Sequence, residues 1–222
     1  MEKCKRYFIF LIGLFINAFG VSLITKADLG TSPISSIPYV LSLNFPLTLG
    51  GFTIIFSLFL ILCQILILGK RFPLEDLLQI PVSILFGYFI DFTMWLLASL
   101  APQSYPLKIC YLLSGCVVLG FGVYLEVLSN VVMLPGESFV RAIHIRWKTD
   151  FGITKIIFDV SMTVTAGLLS FLFVHRLEGV REGTIVAALL VGFIARLFGR
   201  ILSFVEPILF PHSGSQANNN GI

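Results

Sequence analysis

The stretch Lys26-Ala27-Asp28-Leu29-Gly30-Thr31-Ser32-Pro33-Ile34-Ser35-Ser36-Ile37-Pro38 decides how this chain is read. It interrupts a long apolar run with a glycine, hydroxyls and two prolines. Thr31 or Ser32 can cap a helix whose first-turn residue is Pro33. Lying between two apolar segments, such a helix would put its positive end at or inside a membrane. The same phrase returns later, altered. Phe19, Gly20, Val21, Leu23, Pro33 and Ser36 recur 102 positions on as Phe121, Gly122, Val123, Leu125, Pro135 and Ser138. Gly51, Thr53 and Ile55 recur 101 on as Gly152, Thr154 and Ile156, and Ile80, Leu85 and Gly87 recur 105 on as Ile185, Leu190 and Gly192. One unit is written twice.

The composition is 57% hydrophobic and 12% charged, with a mean hydropathy of +0.96. Globular chains carry roughly 25% charge, and apolar runs long enough to cross a bilayer make this a polytopic membrane protein. A formal charge of +3 without a basic, aromatic-interleaved stripe gives no reason to expect nucleic acid. Cys4, Cys63, Cys110 and Cys116 lack CxxC spacing and read as packing residues. The first apolar segment has the charge order of a signal peptide but is too long and lacks a small-residue cleavage site, so it reads as a retained span.

Six spans follow, at about residues 7–25, 50–68, 77–100, 109–128, 152–174 and 183–204. The stretch after span one is uncharged, but its counterpart carries Glu137, Arg141, His144, Arg146, Lys148 and Asp150, which a bilayer-crossing helix would not tolerate. Neither copy is therefore expected to cross. With the N-terminus inside, Lys3, Lys5, Arg6, Lys70, Arg71, Arg141, Arg146 and Lys148 lie on the cytoplasmic side, against Lys26, Lys108, Arg176 and Arg181 outside. Three spans per half invert the second copy relative to the first. The expected fold is thus all-α, a single membrane domain of six transmembrane helices in two inverted three-helix repeats. The repeats cover about 7–100 and 108–205, each with a short non-spanning helix, re-entrant or interfacial, and residues 211–222 form a disordered tail. Both termini are expected in the cytoplasm of a bacterial cell with the chain in its inner membrane.

Three phrases carry a family resemblance. Gly20-Val21 before Lys26-Ala27-Asp28-Leu29-Gly30-Thr31-Ser32-Pro33, then Phe86-Gly87-Tyr88-Phe89-Ile90-Asp91, and Glu182-Gly183-Thr184-Ile185 running on to Gly192, resemble the YczE-like branch of the YczE/YyaS/YitT family of bacterial integral membrane proteins. The likeness covers about residues 7–205. It departs from the family's turn at Val131-Val132-Met133-Leu134-Pro135-Gly136. The resemblance implies an integral membrane fold and brings no activity with it.

Ionisable residues inside spans are the sharpest functional signal, since each costs about 2.5–3.5 kcal/mol at a helix centre. Lys155 and Asp159, like Arg196 and Arg200, are four apart and share a face. Asp91 and Arg196 hold matching repeat positions with opposite charge and are expected to pair. The candidate substrate-binding set is Gly30, Thr31, Ser32, Ser35, Asp91, Glu126, Lys155, Asp159, Arg196 and Arg200. Its charges read either as a mutually neutralising network or as the lining of a polar cavity. The turn from Gly30 to Pro33 either presents N–H groups to a carboxylate or phosphate or simply breaks the helix. Glu137, in the first turn of the second copy, would satisfy that helix internally, so an anion held at a helix N-terminus is expected in the first half. Phe139, Ile143 and Trp147 mark an amphipathic helix expected at the cytoplasmic interface. His144, His175 and His212 lack metal-ligand spacing, and no HExxH, GxSxG or P-loop is present, so neither an enzyme nor a cofactor is expected. The leading reading is a small-solute transporter with its site between the repeats, of unknown substrate. The alternative is a non-transporting component that binds a protein partner or lipid. A homo-oligomer is compatible with both.

Overall fold

In the computed structural model, which describes residues 2–175, 178–202 and 209, all regular structure is helical. Eight α-helices of several turns lie within the described residues: α1 (Glu2–Lys26), α2 (Pro33–Asn44), α3 (Leu49–Leu68), α4 (Gln79–Leu96), α5 (Tyr105–Ser129), α6 (Pro135–Trp147), α7 (Phe151–Val174) and α8 (Glu182–Ile201). Two 3-10 turns, Gly69–Arg71 and Leu74–Leu78, join α3 to α4. Six of the helices (all but α2 and α6) are long and apolar enough to cross a membrane. At 1.5 Å per residue, the 12 residues of α2 and 13 of α6 reach only about 20 Å against a hydrocarbon core of about 30 Å. The expected tail at 211–222, with His212, and Arg176 lie outside the described residues.

Local chemistry sets the helix starts. Pro33 and Pro135 open α2 and α6, where a missing N–H costs nothing. Thr48 caps α3 by accepting from Gly51 N at 3.0 Å, and Asp150 caps α7 by accepting from Ile153 N at 2.8 Å.

The core is the α1–α5 pair, the most intimate packing in the molecule. A Cβ on Gly20 would lie 2.5 Å from Leu119 N, and one on Gly122 would lie 2.5 Å from Asn17 N. Gly13 meets Leu125, and Gly115 meets Ile24. Partners fall in number on α5 as they rise on α1, so the two helices run antiparallel, glycine against backbone. Around this pair α4 packs on α1 and α8 on α5, with Ser22 Oγ and Thr93 Oγ1 sharing a 2.7 Å hydrogen bond across α1 and α4. Outside them α2 lies on α7 and α6 lies on α3. Leu66, Trp95, Leu168 and Leu189 are among the large apolar side chains left facing outward. Spread over α3, α4, α7 and α8, such a surface suits hydrocarbon rather than water. The protein is a membrane protein.

Candidate functional site

The two short helices start against each other. Ile34, second in α2, occupies the space that a Cβ on Gly136, second in α6, would need. Each N-terminus is held from behind. Ahead of α2, Gly30 has φ +112, and the carbonyl of Leu29 accepts from Gly183 N at 2.8 Å. Thr31 N donates to Thr184 Oγ1 at 3.3 Å, and Arg181 Nη1 donates to Asp28 O at 3.0 Å. This loop is therefore docked on the start of α8. At α6, Pro135 O accepts from Gln64 Nε2 at 3.1 Å, and Gln64 and Gln79 exchange amide hydrogen bonds of 3.2 and 3.3 Å. Neither Ser32 nor Leu134, the two N-cap residues, makes a side-chain cap. Ser32 Oγ bonds Ser35 Oγ at 2.9 Å instead.

A cavity of about 1230 Å³ lies against this junction. Ser32, Pro33 and Ser35 border it from α2, and Pro135, Gly136 and Glu137 from α6. Val21, Phe86, Leu119, Val123 and Val191 give it an apolar wall, while Asn17, Thr53, Ser57 and Tyr124 add neutral polar groups. It runs out to Arg6, Asn130, Phe151, Gly152 and Arg200, at the start of α1 and α7 and the end of α5 and α8. On that side α7 and α8 barely touch. Gly192 and Gly199 of α8 line the cavity, and a Cβ on either would meet nothing within 4 Å.

Of the ten candidate residues, Ser32, Ser35, Lys155, Asp159, Arg196 and Arg200 border the cavity. Gly30 and Thr31 belong to the joint with α8. Glu126 accepts from Asn17 Nδ2 at 2.8 Å across α1 and α5, behind the wall. Asp91 is also elsewhere. Its carboxylate accepts from Thr48 Oγ1 at 2.7 Å and Gly50 N at 2.8 Å, at the positive end of α3. Arg196 Nε donates to Gly192 O, 3.1 Å away in its own helix. The expected Asp91–Arg196 pair is thus not made, because α4 turns its acid towards α3, whose free N–H groups are nearer. The neutralising network does not form either: of the six span charges only Lys155 and Asp159 pair, at 2.7 Å. Simultaneous alanine substitution of Asp91 and Arg196 should show additive losses, within about 0.5 kcal/mol, in a double-mutant cycle on stability. Coupling of several kcal/mol would restore the pair.

Sequence reasoning missed Asn17, Thr53, Ser57 and Tyr124 as wall residues, although Asn17 is a polar residue in an otherwise uncharged span. It gave Glu137 only a capping role. Half-buried on α6, Glu137 instead borders the cavity, on the same wall as Lys155 and Asp159. At the outer end of α6 Trp147 is exposed, while Arg141 pairs with Asp76 at 2.8 Å. No group of metal-ligating side chains occurs among the described residues.

Residues 4–200 match a family described as "Family of unknown function (DUF6198)". The chain is 30% identical over 198 residues to the "Uncharacterized membrane protein YczE" of Bacillus subtilis (strain 168), an alignment covering 88% of this chain and 86% of that one. It is 25% identical over 195 residues to the "Uncharacterized protein YyaS" of the same organism, covering 87% and 92%. No solved structure matches.

Proposed function

This chain belongs to the DUF6198 family as a YczE-like membrane protein, and we propose that it is a small-solute carrier built from two inverted repeats. In this reading α1–α4 and α5–α8 are the repeats, α2 and α6 are re-entrant helices meeting near the midplane, and the cavity is the solute path. The antiparallel α1–α5 core supports it, since the first helices of inverted repeats must run oppositely. So does the exchange of partners, α2 on α7 and α6 on α3.

The observation that carries transport is an asymmetry between matching glycines. A Cβ on Gly87 would lie 2.4 Å from Ile54 Cγ1 and 2.7 Å from Gly50 O, so α4 is sealed onto α3. Its counterpart Gly192 faces open space, and α8 stands off α7. Asp91, one turn beyond Gly87, latches the seal, whereas Arg196, one turn beyond Gly192, bonds only its own helix among the described residues. In an inverted pair these two contacts lie at opposite membrane faces. A path shut at one face and open at the other is one state of a carrier, and exchanging the two packings would generate its opposite.

Reporter fusions set the orientation. Those at Leu47, Pro102 and Gly179 should read outside, and those at Phe72 and Thr149 cytoplasmic, with both termini on the cytoplasmic side of a bacterial inner membrane. A cytoplasmic reading at Leu47 would make α2 a crossing helix and reject the inverted repeat. Transport itself is tested with Ser57→Cys on the cavity wall, in a chain whose four native cysteines are replaced by serine. A carrier exposes this thiol to an impermeant maleimide from both faces over time. Labelling from one face only would favour a non-transporting component that binds a partner or lipid.

A further inference from the structure

We infer that the cavity binds an amphipathic organic anion, its carboxylate or phosphate head on Arg196 and Arg200 and its apolar body along Val21, Phe86, Leu119 and Val191. This deepens the carrier reading and rests on it only for the claim that the anion crosses the membrane. The walls carry four cations, Arg6, Lys155, Arg196 and Arg200, against two carboxylates, Glu137 and Asp159. Two of the cations are already satisfied. Lys155 pairs with Asp159, and Arg6 is held by Glu2 at 3.0 Å and by the carbonyl of Ser129 at 3.2 Å. Arg196 and Arg200 remain, one turn apart on α8. The first spends one donor on Gly192 O, and the second makes no hydrogen bond or ion pair among the described residues.

Two arginines four apart on one helix, both bordering the cavity, offer the forked donors that carboxylates and phosphates accept bidentately. Maintaining both on a bilayer-spanning helix is unfavourable unless something answers their charge. Glu137 cannot be that answer alone, because it sits at the α6 N-terminus beside the satisfied Lys155. The apolar wall argues against a bare inorganic ion, which would leave it empty. At about 1230 Å³ the cavity exceeds the roughly 300–1000 Å³ usual for small-molecule pockets, so there is room for a chain behind the head. Two sources share this chemistry: a soluble organic acid, and an anionic lipid entering where α7 and α8 part.

The full chain in phosphatidylcholine nanodiscs tests it, with octanoate and octyl phosphate as probes and octanol and octylamine as matched neutral and cationic controls. Calorimetry should show both anions binding at least about tenfold more tightly than either control. Arg200→Gln should weaken the anions about tenfold, the effect of one lost charge-assisted contact, without changing the melting temperature of the unliganded protein. Arg200→Lys should recover part of the loss. Octanol binding as well as octanoate, or Arg200→Gln leaving anion affinity unchanged, would overturn the assignment. Repeating the titration with phosphatidylglycerol in the nanodiscs separates the sources: competition identifies the lipid headgroup, and undiminished binding identifies the soluble acid. Anion selectivity with one-sided labelling of Ser57→Cys would keep this site and reject the carrier. Two-sided labelling without anion selectivity would do the reverse.

Discussion

Replacing Gly20 with valine will leave little folded protein in the membrane, and Gly122→Val will do the same. The Cβ introduced at Gly20 would lie 2.5, 2.6 and 2.7 Å from N, Cα and Cβ of Leu119. At Gly122 it would lie 2.5 and 2.8 Å from N and Cα of Asn17. These obstacles are backbone atoms of the facing helix, with one Cβ fixed to that backbone, and cannot rotate away. Relief requires α1 and α5 to move apart, which loosens their whole interface, including the Asn17–Glu126 hydrogen bond. Overpacking usually costs about 1–3 kcal/mol, and a rigid obstacle puts these variants at or above the top of that range. Gly199→Ala is the control. Nothing lies within 4 Å of its Cβ, and alanine favours helix by up to about 1 kcal/mol, so stability should hold or rise slightly. Unfolding in mixed micelles would measure all three. Wild-type stability in Gly20→Val would mean that α1 and α5 do not cross as described.

Much of this architecture is legible in the residues because helix ends and spans depend on local chemistry. Pro33 and Pro135 announce the first turns of α2 and α6, and the charges from Glu137 to Asp150, carried over to the uncharged first copy by the repeat, separate the two short helices from the six long ones. The cavity was only half legible. Ser32, Ser35, Lys155, Asp159, Arg196 and Arg200 are conspicuous as polar groups in apolar surroundings, and they border it. Asp91 is equally conspicuous, yet it serves α3. Which neighbour a side chain reaches depends on the rotation of its helix about its own axis, and matching repeat positions do not determine that. Gly30 misleads for a related reason. Its φ of +112 marks a backbone turn that only glycine enters easily, but the close approach it permits is to Thr184 and Arg181 of the α8 start rather than to a ligand. Substituting valine there should therefore weaken the fold as well as any transport.

Leucine at two matching glycines should give opposite phenotypes. Gly87→Leu would drive its side chain into Ile54 and the carbonyl of Gly50, forcing α4 off α3 and stretching the Asp91 latch on Thr48 and Gly50. We expect a loss of about 3 kcal/mol, or an escape in which the α3–α4 contact stands open. Gly192→Leu sets its Cβ in open space on the cavity side, with nothing within 4 Å, so stability should stay within about 0.5 kcal/mol of the parent. Its effect should appear in the motion. If α8 must close onto α7 as α4 now closes onto α3, a leucine at position 192 occupies the space that the closed packing requires. The open α7–α8 state would then persist, and since 1.4 kcal/mol is about tenfold in population, even a modest clash suppresses the opposite state. In the Ser57→Cys background, Gly192→Leu should abolish maleimide labelling from the face sealed by α3 and α4 while leaving labelling from the other face intact. Gly87→Leu, where it folds, should favour the face that Gly192→Leu blocks. If Gly192→Leu leaves two-sided labelling unchanged, then α8 never closes on α7, and the two glycines differ for a reason that has nothing to do with alternating access.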